Sequence, residues 1–165
     1  MSSQSLSGLS VSPLRVLLVE DDDDHAELIL RCFSRANYPS IVDRVDDGFK
    51  AVAYLQGETP YCDRVLPDLV LLDINLPIFN GHEVLERVRS NPELQSLSIV
   101  ILSTSREESD VRRASDANVT DYLVKPQQFD GFCSLIEKLV HDWRASNVPN
   151  RSQLSDTSDD GGGGA

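Results

Sequence analysis

Four apolar runs in this 165-residue chain each end in residues that can do chemistry. Residues 16–19 are followed by Glu20 and Asp21, and residues 69–72 by Asp73. Residues 100–102 are followed by Ser103 and Thr104, and residues 123–124 by Lys125 and Pro126. A single strand-terminal Asp is commonly only a helix cap, but three acids, a hydroxyl and a lysine at four run ends exceed what capping supplies. Carboxylates packed about 4 Å apart repel by roughly 4 kcal/mol at an effective dielectric near 20. A hard divalent cation relieves that cost, and few oxygen ligands with room for water favour Mg2+ over an all-protein Ca2+ cage. A carboxylate beside Mg2+ can attack phosphorus and form an aspartyl phosphate. Lys125 then supplies a point charge to the phosphoryl oxygens and Ser103 a hydrogen bond, so the set suits phosphoryl transfer by positioning and electrostatics.

These residues can meet only if the runs are neighbouring strands. Residues 14–19, 41–45, 68–72, 99–102 and 120–124 read as strands, and helix-period segments separate them. Asp24 or a neighbour caps a helix reaching about Asn37, with Leu28, Ile29, Cys32, Phe33 and Ala36 on one face. Residues 49–55 form a short helix. Asn80 and Gly81 open another, with Val84, Leu85 and Val88 inward and Asn91–Pro92 ending it. A polar helix spans about 106–117, and the last carries Phe129, Phe132, Ile136, Leu139 and Trp143 at spacings of three and four. Alternation of this kind predicts an α/β domain with a five-stranded parallel sheet and helices on both faces. In such sheets ligands bind at the carboxyl ends of the strands.

Composition narrows the class. Fifteen basic against 27 acidic residues give a net charge of −12, which argues against nucleic-acid binding because phosphate backbones call for Lys and Arg. Residues 1–13 and 145–165 are rich in Ser, Gly and Asp and are expected to be disordered tails around a domain at 14–144. No basic residue precedes Arg15, unlike a secretory signal, and no apolar run suggests a membrane span. Cys32, Cys62 and Cys133 are odd in number and widely spaced, so free thiols in a reducing cytosol are expected. His25, His82 and His141 lie at neither metal nor nucleophile–base spacing and are expected at the surface. Residues 57–67 form a long connection, which a surface loop tolerates.

Segments 16–22, 68–77 through Asn80–Gly81, 99–103 and 121–126, in this order and spacing, resemble the receiver domain of bacterial two-component response regulators. The resemblance spans essentially the whole globular part. It implies a flavodoxin-like fold with strand order 2-1-3-4-5. It implies Asp73 as phosphoacceptor and Mg2+ held by Glu20, Asp21, Asp73 and the Asn75 backbone carbonyl. Asp21 would ligate directly and Glu20, one methylene longer than the family's frequent Asp, through water. Asp22 is only a fallback ligand; its first role is near the helix N-terminus. Lys125 and Ser103 would stabilise the phosphoryl group, and Ser103 with Tyr122 would form the switch. The family's Lys-Pro bond, here Lys125–Pro126, is usually cis. Thr104 stands where the family commonly has Ala or Gly, and with Asn75 and Ser105 it would tune autodephosphorylation. The 57–67 insert is similar to that of stand-alone receivers working with phytochrome-type histidine kinases.

The expected function is therefore a cytoplasmic single-domain response regulator, phosphorylated by a histidine kinase and signalling through a downstream protein target. No output module follows Trp143, so output is expected to be a protein contact; Leu135 and Val140 on the last helix suit either a homodimer or core packing. Two contrasting readings are a phosphorylation-independent docking module and a Mg2+-dependent aspartyl-phosphate phosphohydrolase. The hydrolase would need a second acid two residues after its nucleophile, where Asn75 stands.

Overall fold

Successive side chains of a strand point to opposite faces, so a strand that is apolar throughout feeds two cores. In the computed structural model, residues 12–147 are described, and of the tails expected at 1–13 and 145–165, residues 1–11 and 148–165 lie outside the described residues. The elements are β1 (Leu14–Val19), α1 (Asp23–Arg35), β2 (Ser40–Val45), α2 (Gly48–Gln56), β3 (Leu69–Leu72) and α3 (Gly81–Arg89). A 3-10 turn (Pro92–Leu94), β4 (Ser98–Ser103), α4 (Glu108–Asp116), β5 (Asp121–Val124) and α5 (Phe129–Asn147) follow. The five strands are all parallel, in the order β2-β1-β3-β4-β5. This is the flavodoxin-like topology expected from the sequence.

Alternation divides the strands between the two layers. Leu17, Val19, Val70, Leu72, Ile99 and Ile101 pack with α2, α3 and α4 through Leu55, Val84, Leu85 and Ala114. Val16, Leu18, Leu71, Val100 and Leu102 face α1 and α5, meeting Ile29, Phe33, Phe132 and Ile136. Each aliphatic side chain so buried contributes about 1.5–3 kcal/mol. Val140 is buried in the α1–α5 layer and Leu135 packs half-buried against it, which is the core-packing alternative for those two residues.

Asp22 caps α1, its carboxylate accepting the His25 N–H at 2.9 Å, while Asp23 and Asp24 lie in the first turn, where the helix dipole favours acids. Asn80 and Glu83 form a reciprocal capping box on α3. Arg89 ties α3 to the neighbouring loops by donating to the carbonyls of Leu94, Leu97, Ala117 and Asn118. The insert is pinned: Arg64 donates to the Tyr54 and Leu55 carbonyls at the end of α2, and Tyr61 leans on Tyr54 with ring centroids 5.3 Å apart.

Two expectations change. Residues 145–147 are the last turn of α5 rather than tail, because Ser146 and Asn147 donate back to the carbonyls of Asp142 and Trp143 and so sustain a polar helix end. Cys32 and Cys133 form a disulfide rather than two free thiols. They face each other from α1 and α5 with Cα atoms 4.7 Å apart, a juxtaposition that an odd count and wide spacing conceal; Cys62 is the free, exposed thiol. The pairing removes the argument from free thiols for a reducing compartment. The isomer of Lys125–Pro126, which the sequence leaves open, is trans, the form an X–Pro bond intrinsically favours, and the cis bond among the described residues is Thr59–Pro60.

Gly81 is the point where α3 approaches the end of β3. Its N–H donates to the Ile74 carbonyl at 2.8 Å, and a Cβ here would stand 2.5 Å from the Asp73 carbonyl oxygen. Gly81→Ala is therefore expected to lower the unfolding free energy by about 1–3 kcal/mol, read as a lower urea midpoint. An unchanged midpoint would contradict this close approach.

Candidate functional site

The ladders run on past the strand ends and fix the backbone of each acidic or basic residue. The Glu20 N–H donates to the Val45 carbonyl at 3.1 Å, the Asp73 N–H to Val19 at 3.1 Å, and the Lys125 N–H to Ser103 at 2.8 Å. Val19 lies in register with Leu72, and Ser103 with Val124, so the residues that follow converge at one edge. There the Lys125 ammonium, its side chain only 2% exposed, donates to Glu20 Oε2 at 2.5 Å and to Asp73 Oδ2 at 2.8 Å. Asp73 Oδ1 accepts the Asn75 N–H at 3.1 Å.

Asp21 is exposed at the rim, yet a carboxylate oxygen from each of Glu20, Asp21 and Asp73 lies within 4.8 Å of the others. Three carboxylates thus face one ammonium, an excess of two negative charges. Burial pushes the Glu20 carboxyl up, the Lys125 ammonium offsets only part of that, and the Asp73 charge adds to it. Burial pulls the Lys125 ammonium down, but the Asp73 and Glu20 carboxylates outweigh burial and hold its value above the ordinary one. Donors that are all oxygen, on separate segments and open to water on the Asp21 side, fit a hard divalent cation.

A profile of the response regulator receiver domain matches residues 16–137. The chain belongs to that family. It is 37% identical over 135 residues to the "Probable methanogenesis regulatory protein FilR2" of Methanothrix harundinacea, covering 82% of this chain and 86% of that protein. It is 31% identical over 138 residues to the response regulator Rcp1 of Synechocystis, covering 84% and 94%. The crystal structure of the Mn(2+)-bound form of Rcp1 superimposes with a TM-score of 0.75. That of the phosphorylated cyanobacterial phytochrome response regulator RcpA is 33% identical with a TM-score of 0.78, covering 82% of this chain and 96% of that one. The likeness to stand-alone, phytochrome-associated regulators read from the sequence is therefore borne out.

In this receiver the remaining sequence-predicted residues are distributed as follows. Ser103 is fully buried, and its hydroxyl oxygen accepts the Ser105 N–H at 3.2 Å. Tyr122, half-buried, donates its hydroxyl to the Ser105 carbonyl at 2.9 Å. Thr104 and Asn75 are exposed beside the cluster. Asp22 is used as the α1 cap, and that bond to the His25 N–H holds its carboxyl below the ordinary value. No helix among the described residues is long and apolar enough to cross a membrane.

Two histidines depart from the expected surface placement, whereas His141 is exposed. His82 is buried, its Nε2 3.0 Å from Asp110, and Asp110 also accepts the Ser105 hydroxyl at 2.6 Å. The Ser105 hydroxyl and the His82 ring hold the Asp110 carboxyl below its ordinary value. His25 is half-buried with Nδ1 3.2 Å from the Lys125 ammonium. Spacing carried a signal for both: His25 lies one turn before the buried Ile29, and His82 three residues before the buried Leu85.

Removing Lys125 leaves two buried carboxylates without their cation. Lys125→Met is expected to lower the unfolding free energy at neutral pH by about 3–5 kcal/mol. Lys125 holds its proton more tightly in the fold than in the unfolded chain, so its contribution is whole below 10.5 and is lost as pH rises through the raised folded value. The gap between wild type and variant should narrow above pH 10.5 in chemical unfolding. A gap constant through the alkaline range would contradict the buried pairing.

Proposed function

We propose that this receiver accepts a phosphoryl group on Asp73 from the phosphohistidine of a histidine kinase, in a Mg2+-dependent reaction, and signals by a changed protein-contact surface. The observation that carries the proposal is the excess of two negative charges around a carboxylate already addressed by a buried ammonium. Glu20, Asp21, Asp73 and the Asn75 carbonyl would hold Mg2+, which supplies positive charge to the incoming phosphoryl oxygens. Asp73 contributes the attacking oxygen: an O–P bond forms, the P–N bond of the phosphohistidine breaks, and the histidine nitrogen keeps the electron pair. Lys125 lies 2.8 Å from Asp73 and is placed to neutralise phosphoryl charge without moving far.

The phosphoryl group adds about −1.5 to −2 charge. Ser103 and Tyr122 would register it, since both are bonded to Ser105, whose hydroxyl is anchored on Asp110 of α4. Thr104, Asn75 and Ser105 would set how readily water reaches the acyl phosphate. The chain acts as a phosphoacceptor rather than a turnover enzyme, because Asn75 offers an amide where a hydrolase needs an acid. A phytochrome-type kinase as donor is supported by the likeness to RcpA and Rcp1. We place the protein in the cytoplasm, where such a kinase is charged from ATP, with a downstream protein target as its output.

Incubation with Mg2+ and acetyl phosphate should add one phosphoryl group to wild type by intact mass and none to Asp73→Asn. Absence of any adduct would support a docking module, and steady release of inorganic phosphate without a partner would support a hydrolase. Beryllofluoride, followed by size-exclusion chromatography, would show whether activation changes self-association.

A further inference from the structure

An ammonium on a four-carbon stem has three N–H donors and no acceptor, so every partner it meets must accept. In Lys125 one N–H meets Glu20 Oε2 at 2.5 Å and another Asp73 Oδ2 at 2.8 Å; the third faces His25 Nδ1 at 3.2 Å. Asp73 is the partner that changes when a phosphoryl group arrives, because its carboxylate charge moves outward onto the new group. A phosphoryl oxygen then replaces Asp73 as the acceptor of that N–H, while Glu20 stays in place. A second fixed partner is needed to keep one N–H aimed at the reacting oxygen, and the His25 imidazole stands there.

We propose that His25 is a positioning residue for Lys125: its Nδ1, together with Glu20, forms a two-point cradle that keeps the ammonium aimed at Asp73 before and after phosphorylation. This rests on Asp73 being the phosphoacceptor. His25 is suited to the task. It follows the Asp22 cap of α1, which accepts the His25 N–H at 2.9 Å and so fixes its backbone. Its ring is tilted against the buried Phe132 of α5, with centroids 6.2 Å apart. An acceptor Nδ1 places the ring proton on Nε2. A neutral acceptor holds the ammonium without adding a further negative charge to a cluster that already has an excess of two. No proton is transferred, and Lys125 keeps all three.

The test uses the full chain with Mg2+ and acetyl phosphate. In His25→Leu, which keeps apolar bulk against Phe132 but accepts nothing, the phosphorylation rate constant at saturating donor should fall about fivefold through lost orientation of Lys125. His25→Asn, whose side-chain oxygen sits near the Nδ1 position, should restore most of the rate. Nitrogen NMR supplies the direct readout. His25 should be the Nε2–H tautomer, with its Nδ1 resonance displaced from that of exposed His141. The displacement should vanish in Lys125→Ala. Equal rates in wild type and His25→Leu, loss in Leu that Asn does not rescue, or a His25 resonance indifferent to Lys125, would each overturn the cradle. A wild type that takes no phosphoryl group at all would instead overturn the phosphoacceptor reading, and the cradle with it.

Discussion

The site depends on one buried cation. Glu20 and Asp73 are taken out of water at the end of a parallel sheet, where an unpaired carboxylate would cost several kcal/mol. Lys125 reaches both from the end of β5, two strands from β3 and three from β1, and its own burial is tolerable only because they are there. The dependence is mutual, and it makes the strand registers functional as well as structural. A slip of one residue in β1, β3 or β5 would send each of these side chains to the opposite face.

Much of the remaining structure keeps those strand ends still. Gly81 lets α3 begin against the Asp73 carbonyl, and the Asn80–Glu83 box fixes where that helix starts. Arg89 ties the far end of α3 to the loops around β4, so the helix cannot tilt independently of the sheet. On the opposite layer, Cys32–Cys133 joins α1 to α5, the two helices that flank His25 and Lys125. The site is thus held from both faces. Strain is localised in the β3–α3 loop, where Ile78 adopts φ 69° and stands 70% exposed, a conformation that costs a β-branched residue about 1–3 kcal/mol.

What the sequence disclosed and what it hid follow from the range of the interactions. Apolar runs and their polar ends are local, so all five strands and the meeting of Glu20, Asp73 and Lys125 were legible from the sequence. The receiver-domain match over residues 16–137 contains all four of these segments. Pairings across the fold were not legible. Cys32 and Cys133 are 101 residues apart, and only the packing of α1 on α5 makes them partners. His82 looked like a surface residue because its partner Asp110 sits on a polar helix, and the capping Asp of α1 was hidden in a run of acids. The end of α5 was placed too early because Ser146 and Asn147 have weak helix propensity, yet the helix runs on through them to Asn147.

Charge also determines why metal and phosphoryl group must act together under the proposed function. The cluster already has two negative charges in excess. A phosphoryl group would add about −1.5 to −2 more at a point a few ångströms from Asp21 and Glu20. Lys125 cannot absorb both quantities, since one ammonium matches one charge. A divalent cation cancels the resting excess, and Lys125, oriented rather than newly recruited, is then available to the phosphoryl oxygens. The same arithmetic explains why a neutral imidazole can border this site where a fourth carboxylate could not. His25 steadies the ammonium while leaving the electrostatic balance between metal, acceptor and phosphoryl group unchanged.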